Sequence, residues 1–288
     1  MPRALRALIV LPLLLMASVS GACRAPDMGP AVAVPALTLS RTRVPLGGPV
    51  EIAYQFAVLP EIRGLTEPYR VYVDFLDADK RVMFTDDHAP PVATTDWQPG
   101  QTVTYERRLF IPLYPYVGEV SVALRLVSPS TGDPVALVGE HLGQGRYVVA
   151  SVELAPPPTS NPTFRGGWYP RERRAWRWST GESTIVFESP RQDSILYLEL
   201  EGRPALFESP QRVDLLVGGR TIDTFLIEES GVMLHSTPLS AADFDDGELA
   251  ALTLHVDPTF VPADRPGSTS TDNRRLGVRV FHAFIESQ

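Results

Sequence analysis

Three of the four tryptophans of this chain, Trp168, Trp176 and Trp178, fall within eleven residues, with Tyr169, Arg171, Arg173, Arg174 and Arg177 between them. Indole faces stack on sugar rings and on guanidinium groups, so a stretch of this composition is suited to hold a glycan. Trp176 and Trp178 alternate about Arg177, which places both rings on one face of a strand. The same spacing serves a core strand, with Trp176 and Trp178 buried and Trp168 at the rim. Glu172 and Arg177 early in this half, with Asp272, Arg274 and Arg275 near the end of the chain, predict an ion-pair network that ties the terminal strands together through arginine–carboxylate forks. The functional alternative makes Glu172, Arg177, Asp272 and Arg275 the polar wall of a ligand site beside the tryptophans.

Other chemistry is less well supplied. Asp74, Asp77, Asp79, Asp86, Asp87 and His88 crowd one region, but the EF-hand glycine and terminal glutamate are missing. Asp77-Ala78-Asp79-Lys80 reads instead as a hairpin turn, with Asp74 pointing to solvent from an alternating strand and His88 capping a loop. The remaining histidines, His141, His235, His255 and His282, have no zinc-ligand spacing. No nucleophile elbow, metalloprotease helix, phosphate loop or dinucleotide fingerprint occurs, and no pair of carboxylates is singled out for glycoside hydrolysis. These readings predict a non-enzymatic protein with no metal and no cofactor.

The lone cysteine, Cys23, closes an apolar leader. Arg3 and Arg6 form its basic start, residues 7–16 its hydrophobic run, and Ser20-Gly21-Ala22 the small residues that a signal peptidase accepts. The arrangement resembles a bacterial lipobox, with Ser20 where leucine is usual. It predicts cleavage after Ala22 and lipidation of Cys23, which would give an otherwise unpaired exported thiol a use. The alternative is an ordinary secretory signal with a free cysteine left behind. The apolar run is about half the length of a membrane span. Arg24 follows Cys23 where an inner-membrane lipoprotein would carry aspartate, so the expected destination is the outer membrane. Loss of the leader leaves 24 basic against 34 acidic residues, a balance that disfavours nucleic acid as a partner.

Positioning such residues falls to β-strands. Residues 50–58 alternate with Ile52, Tyr54 and Phe56 on one side, residues 69–76 with Tyr69, Val71, Val73 and Phe75, and residues 118–127 with Val120, Val122, Leu124 and Leu126. Strand patterns recur at 102–111 and 146–154, then at 183–187, 194–201, 212–217, 221–227, 249–256 and 276–285. Gly218-Gly219 reads as a hairpin turn, and only residues 239–247 hint at a helical one. The chain therefore divides into a leader (1–22), a tether (23–35), an immunoglobulin- or fibronectin-like sandwich (36–154), a proline-rich linker (155–163) and a jelly-roll-like sandwich (164–288). The fold class is all-β, two tandem antiparallel β-sandwiches, with the segment around Trp176 pairing near the C-terminal strand.

Residues 73–82 (VDFLDADKRV), 85–91 (TDDHAPP), 94–100 (TTDWQPG) and 110–119 (FIPLYPYVGE) together resemble the small β-sandwich modules attached to membrane glycosyltransferases and related bacterial surface proteins. In the second half, residues 167–172 (GWYPRE), 177–178 (RW), 260–262 (FVP) and 272–277 (DNRRLG) are similar to another accessory β-domain of such proteins. The resemblance implies fold far more than function, and it implies no catalytic activity. The expectation is a lipid-anchored envelope protein that binds or scaffolds. Its partners would be the membrane, through the lipid, and either an envelope polysaccharide at Trp168, Trp176 and Trp178 or a protein at a sheet edge or interdomain groove. A cell-wall glycan hydrolase is the weaker alternative.

Overall fold

The computed structural model describes residues 28–62, 64–158 and 162–288. The leader, Cys23, the first part of the tether and three linker residues lie outside them. Eight strands build the first half: β1 (Ala33–Leu39), β2 (Arg43–Pro45), β3 (Pro49–Val58), β4 (Arg70–Leu76), β5 (Val82–Thr85), β6 (Thr102–Phe110), β7 (Gly118–Val127) and β8 (Tyr147–Ala155). They form sheets ordered β1-β3-β6 and β2-β8-β7-β4-β5. Both sheets contribute to one core, where Ile52, Tyr54, Phe56, Val71, Val73, Phe75, Val122 and Leu124 are 0–1% exposed. This is an immunoglobulin-like sandwich. One pairing breaks the antiparallel rule, since β2 runs parallel to β8.

Asp74 does not face solvent. It is 2% exposed and its carboxylate lies 2.9 Å from Arg146 and 3.6 Å from Arg125, contacts of charge rather than of hydrogen-bond geometry. The segment between β7 and β8 folds back here, bridging Val127 to Pro134 and His141 to Tyr147, and brings Arg146 to the outer side of β4. Alternation along a strand says which residues share a face, but a covering loop can bury the polar face as well.

The second half has nine strands: β9 (Thr163–Phe164), β10 (Arg177–Trp178), β11 (Glu182–Glu188), β12 (Ser194–Glu201), β13 (Gln211–Val217), β14 (Arg220–Ile227), β15 (Met233–Leu239), β16 (Leu249–Asp257) and β17 (Arg279–Ser287). Their sheets, β10-β17-β12-β15 and β14-β13-β16-β11-β9, take successive strands alternately except for the β13-β14 hairpin, which is jelly-roll-like wiring with β9 added at an edge. All pairings within the two sheets are antiparallel. Gly218 and Gly219, at φ 57° and 81°, make the tight turn between β13 and β14. The expected helical turn is a single 3₁₀ turn at Ala241–Asp243.

The two sandwiches touch across the outer face of β17 and β12. Arg41 donates to both carboxylate oxygens of Glu286 at 2.7 and 2.8 Å, and its guanidinium lies over Tyr197. Phe110 stacks flat on His282 at 4.4 Å, while Gly47 and Gly48 admit Phe284, whose ring atoms lie 3.3 Å from where a Cβ on either would stand. The first sandwich therefore covers one end of this sheet face. The other end, at the start of β17, carries the tryptophans.

Candidate functional site

β17 pairs with β10 through Trp178↔Arg279 and with β12 through Glu201↔Arg279, so three side chains converge on one outer face. A β-bulge lies just beyond: Glu199 pairs with His282 and Leu200 with Val280, leaving Phe281 as the extra residue, 5.8 Å from Trp176. The result is a ladder of alternating cations and rings. Arg279 lies between Trp176 and Trp178, 4.7 Å from each ring centroid. Arg203 closes the inner end over Trp178 at 5.7 Å, and Arg173 caps the outer end over Trp176 at 5.6 Å. Glu201 pairs with both Arg203 and Arg279, the latter at 3.0 Å. Each stacking contact contributes roughly 0.5–2 kcal/mol, more where water is excluded. Burial, with Arg203 close by, holds the Arg279 guanidinium below its ordinary value, against the pull of Glu201.

The ladder is graded in exposure. Trp178 is 5% exposed and its edge meets Phe260, whereas Trp176 is half-buried and Arg173 exposed. Beside it, Arg274 bridges Glu172 at 2.8 Å and Asp272 at 2.7 Å and lies 4.9 Å over Tyr169. Hydrogen bonding to Asp272 raises the Arg274 guanidinium, and the same bond lowers Asp272. Thus Glu172, Asp272, Trp176 and Trp178 come together, through Arg274 and Arg279. Trp168, Arg177 and Arg275 do not join them. Trp168 donates to the Thr184 carbonyl at 2.8 Å and packs edge-on against Phe164, which Arg177 also covers, and Arg275 is exposed with its guanidinium 3.5 Å from Thr259. Arg279, Arg203 and Glu201 were not among the candidates from sequence. The signal for Arg279 was a charge alternating with Val278 and Val280 on a strand expected to pair near Trp176.

The turn that presents Arg173 is unusual. Ala175 donates to the Glu172 carbonyl at 2.9 Å, and the two central residues, Arg173 and Arg174, both sit at positive φ, 47° and 57°. Asparagine and glycine suit that geometry, while other residues cost roughly 1 kcal/mol or more each. The double change Arg173→Asn, Arg174→Gly is therefore expected to stabilise the second sandwich by about 1 kcal/mol, read as a higher urea midpoint with an unchanged slope.

A second polar cluster lies in the first sandwich. Asp86, 6% exposed, accepts from Arg107 at 2.7 and 2.9 Å and from the Tyr54 hydroxyl at 2.9 Å. His88 places Nδ1 2.8 Å from the Asp86 carbonyl and Nε2 2.8 Å from the Tyr105 hydroxyl. Burial would raise Asp86, but Arg107 and Tyr54 hold it below the usual carboxylate range, and burial pushes His88 down and both tyrosines up. Its polar atoms are turned on one another, so the cluster locks the sandwich and offers little to a ligand. Among the described residues, no group of three histidines, cysteines or carboxylates is placed to hold a metal, and no helix is long and apolar enough to cross a membrane. The clefts among the described residues that lie away from the ladder include two of the larger ones by volume. One is a polar cleft of about 480 Å³ between Glu188 and Ser287, and the other an apolar groove of about 630 Å³ among Met28, Val32, Leu59, Leu65 and Tyr69.

No family model matches the chain, and no curated protein matches it. Among solved structures, it is similar to the Bacteroides ovatus mixed-linkage glucan utilization locus protein SGBP-B in complex with a mixed-linkage heptasaccharide (10% identity, 85% of this chain and 51% of that one, TM-score 0.28). It is also similar to the secreted serine protease VesC from Vibrio cholerae (13%, 88% and 51%, 0.26) and to the CBM51-2 and INT domains of Clostridium perfringens ZmpB (11%, 61% and 38%, 0.26). The chain spans about half or less of the length of these proteins, and likenesses this distant assign neither a family nor a ligand.

Proposed function

We propose that this protein is a non-enzymatic envelope lipoprotein, anchored through Cys23, that binds an envelope polysaccharide at the outer end of the arginine–tryptophan ladder. The observation that carries the reading is the graded ladder itself. Guanidinium forks fixed by stacking are preorganised donors for paired sugar hydroxyls, and the half-buried Trp176 offers apolar area beside them. Trp178, buried beneath Arg279, holds that surface in place from below.

The test is calorimetric titration of the mature chain in mild detergent with envelope oligosaccharides, beside Trp176→Ala with its near-ultraviolet dichroism checked. Saturable binding that weakens about tenfold in the folded variant supports the reading; wild-type affinity in the variant defeats it. Palmitate labelling that disappears in Cys23→Ala tests the anchor separately. A second reading, a protein adaptor, draws on the loop between β6 and β7, where Leu113, Tyr114 and Val117 are 68%, 38% and 51% exposed beside the interdomain contact. Leu113→Ser with unchanged glycan binding but loss of a cross-linked envelope protein would favour it.

A further inference from the structure

Resting on the glycan reading above, we infer that the polysaccharide is an acidic one, and that Arg171, Arg173 and Arg174 at the open end of the ladder receive its carboxylate groups. The turn keeps two arginines at positive φ, where a side chain of little use to the fold would be expected to give way to glycine or asparagine. Neither Arg171 nor Arg174 makes a hydrogen bond or ion pair among the described residues, and both are exposed. The neighbouring carboxylate cannot serve them, because Glu172 is taken by Arg274.

Arg173 differs from a loose surface arginine in that Trp176 supports one side of its guanidinium and leaves the other open. Counting outward, Arg203, Arg274 and Arg279 join Arg171, Arg173 and Arg174 against Glu172, Glu201 and Asp272, an excess of three positive charges on a chain whose net charge is −8. A local field opposite in sign to the whole molecule selects an anion at this place. Planar forks on a rigid turn suit a planar acid group repeated along a chain, as in a polyuronate.

The decisive measurement compares oligogalacturonate with the same oligomer after reduction of its carboxyl groups, titrated into the mature chain at two salt concentrations, with dextran sulfate as a third ligand. The acidic form is expected to bind at least about tenfold more tightly, with an affinity that falls as salt rises. In Arg171→Ala and in Arg173→Asn, Arg174→Gly that preference is expected to shrink to about twofold, while the second variant unfolds at higher urea than wild type. Equal affinity for the reduced and acidic forms overturns this inference and leaves the glycan reading standing. Binding of dextran sulfate alone assigns sulfate in place of carboxylate and overturns the polyuronate. No binding of any of the three overturns this inference, and the envelope-oligosaccharide titration with Trp176→Ala then decides the glycan reading by itself.

Discussion

Replacing Asp86 by alanine is expected to destabilise the first sandwich by about 3 kcal/mol and to lower its melting temperature by on the order of 10 °C. The carboxylate accepts three hydrogen bonds at one buried point, two from Arg107 and one from Tyr54. Removing it leaves the Tyr54 hydroxyl, on a residue 1% exposed, with no acceptor, while Arg107 is 36% exposed on its side chain and can turn to water. The unsatisfied hydroxyl and the lost charge-assisted bonds therefore dominate, rather than a stranded cation. Asp86→Asn keeps an acceptor but no charge and is expected to cost about half as much. Tyr54→Phe, which leaves the Asp86–Arg107 pair intact, should cost about 1 kcal/mol. Urea denaturation read by hydrogen exchange in β3 and β6 gives the order, and an alanine variant within 0.5 kcal/mol of wild type would falsify a structural role for the cluster.

The same cluster sets a pH dependence. Asp86 titrates below its ordinary value in the folded chain, so its contribution is present above the unfolded carboxylate range and is lost as pH falls through the folded value. His88 is also held below its ordinary value, by burial, so the unfolded chain takes up that proton first as pH drops below about 6.5. Both effects have one sign. Stability of the first sandwich should decline from about pH 6.5 downward, and His88→Gln should flatten the upper part of that decline while leaving the lower part, which belongs to Asp86.

The longer strands were legible because their alternation has one cause, a buried side and a second side. Ile52, Tyr54 and Phe56, and the run Val120 to Leu126 in steps of two, lie where that cause puts them. The sequence signal fails where a strand is too short to show a period, as in β2, β9 and β10 at two or three residues, or where a proline interrupts it, Pro35 in β1, whose first residues read as tether, and Pro238 in β15. Asp74 was misplaced because its burial comes from a loop more than fifty residues later in the chain. The site divides in the same way. Trp176 and Trp178 announce a shared face, but what lies on that face is decided by the register of β10 against β17, about a hundred residues away, and by the bulge at Phe281. Arg177, nearest in sequence, stacks elsewhere, and Arg279, distant in sequence, stands between the rings.

Arg279→Ala is expected to cost the second sandwich about 2–3 kcal/mol and to shift the emission of Trp176 and Trp178 to the red as water enters between them. The favourable terms are two cation–π contacts and a charged hydrogen bond to Glu201. Against them stand the desolvation of a guanidinium, its nearness to Arg203, and a buried Nε with no acceptor among the described residues. A net value in the middle follows if stacking outweighs desolvation, and two further variants decide it. Arg279→Lys retains charge but cannot lie flat between two indoles, so it should lose nearly as much as alanine. Arg279→Met fills the slot without charge. Methionine at wild-type stability would show that the slot is held by packing alone and that the cation contributes nothing net. Because Arg279 also fixes the ring on which Arg173 rests, Arg279→Met should weaken acidic-glycan binding even where the fold is unharmed, by loosening Trp176 and with it the fork at the open end. An affinity unchanged in that variant would mean that the turn orients its arginines without the ladder.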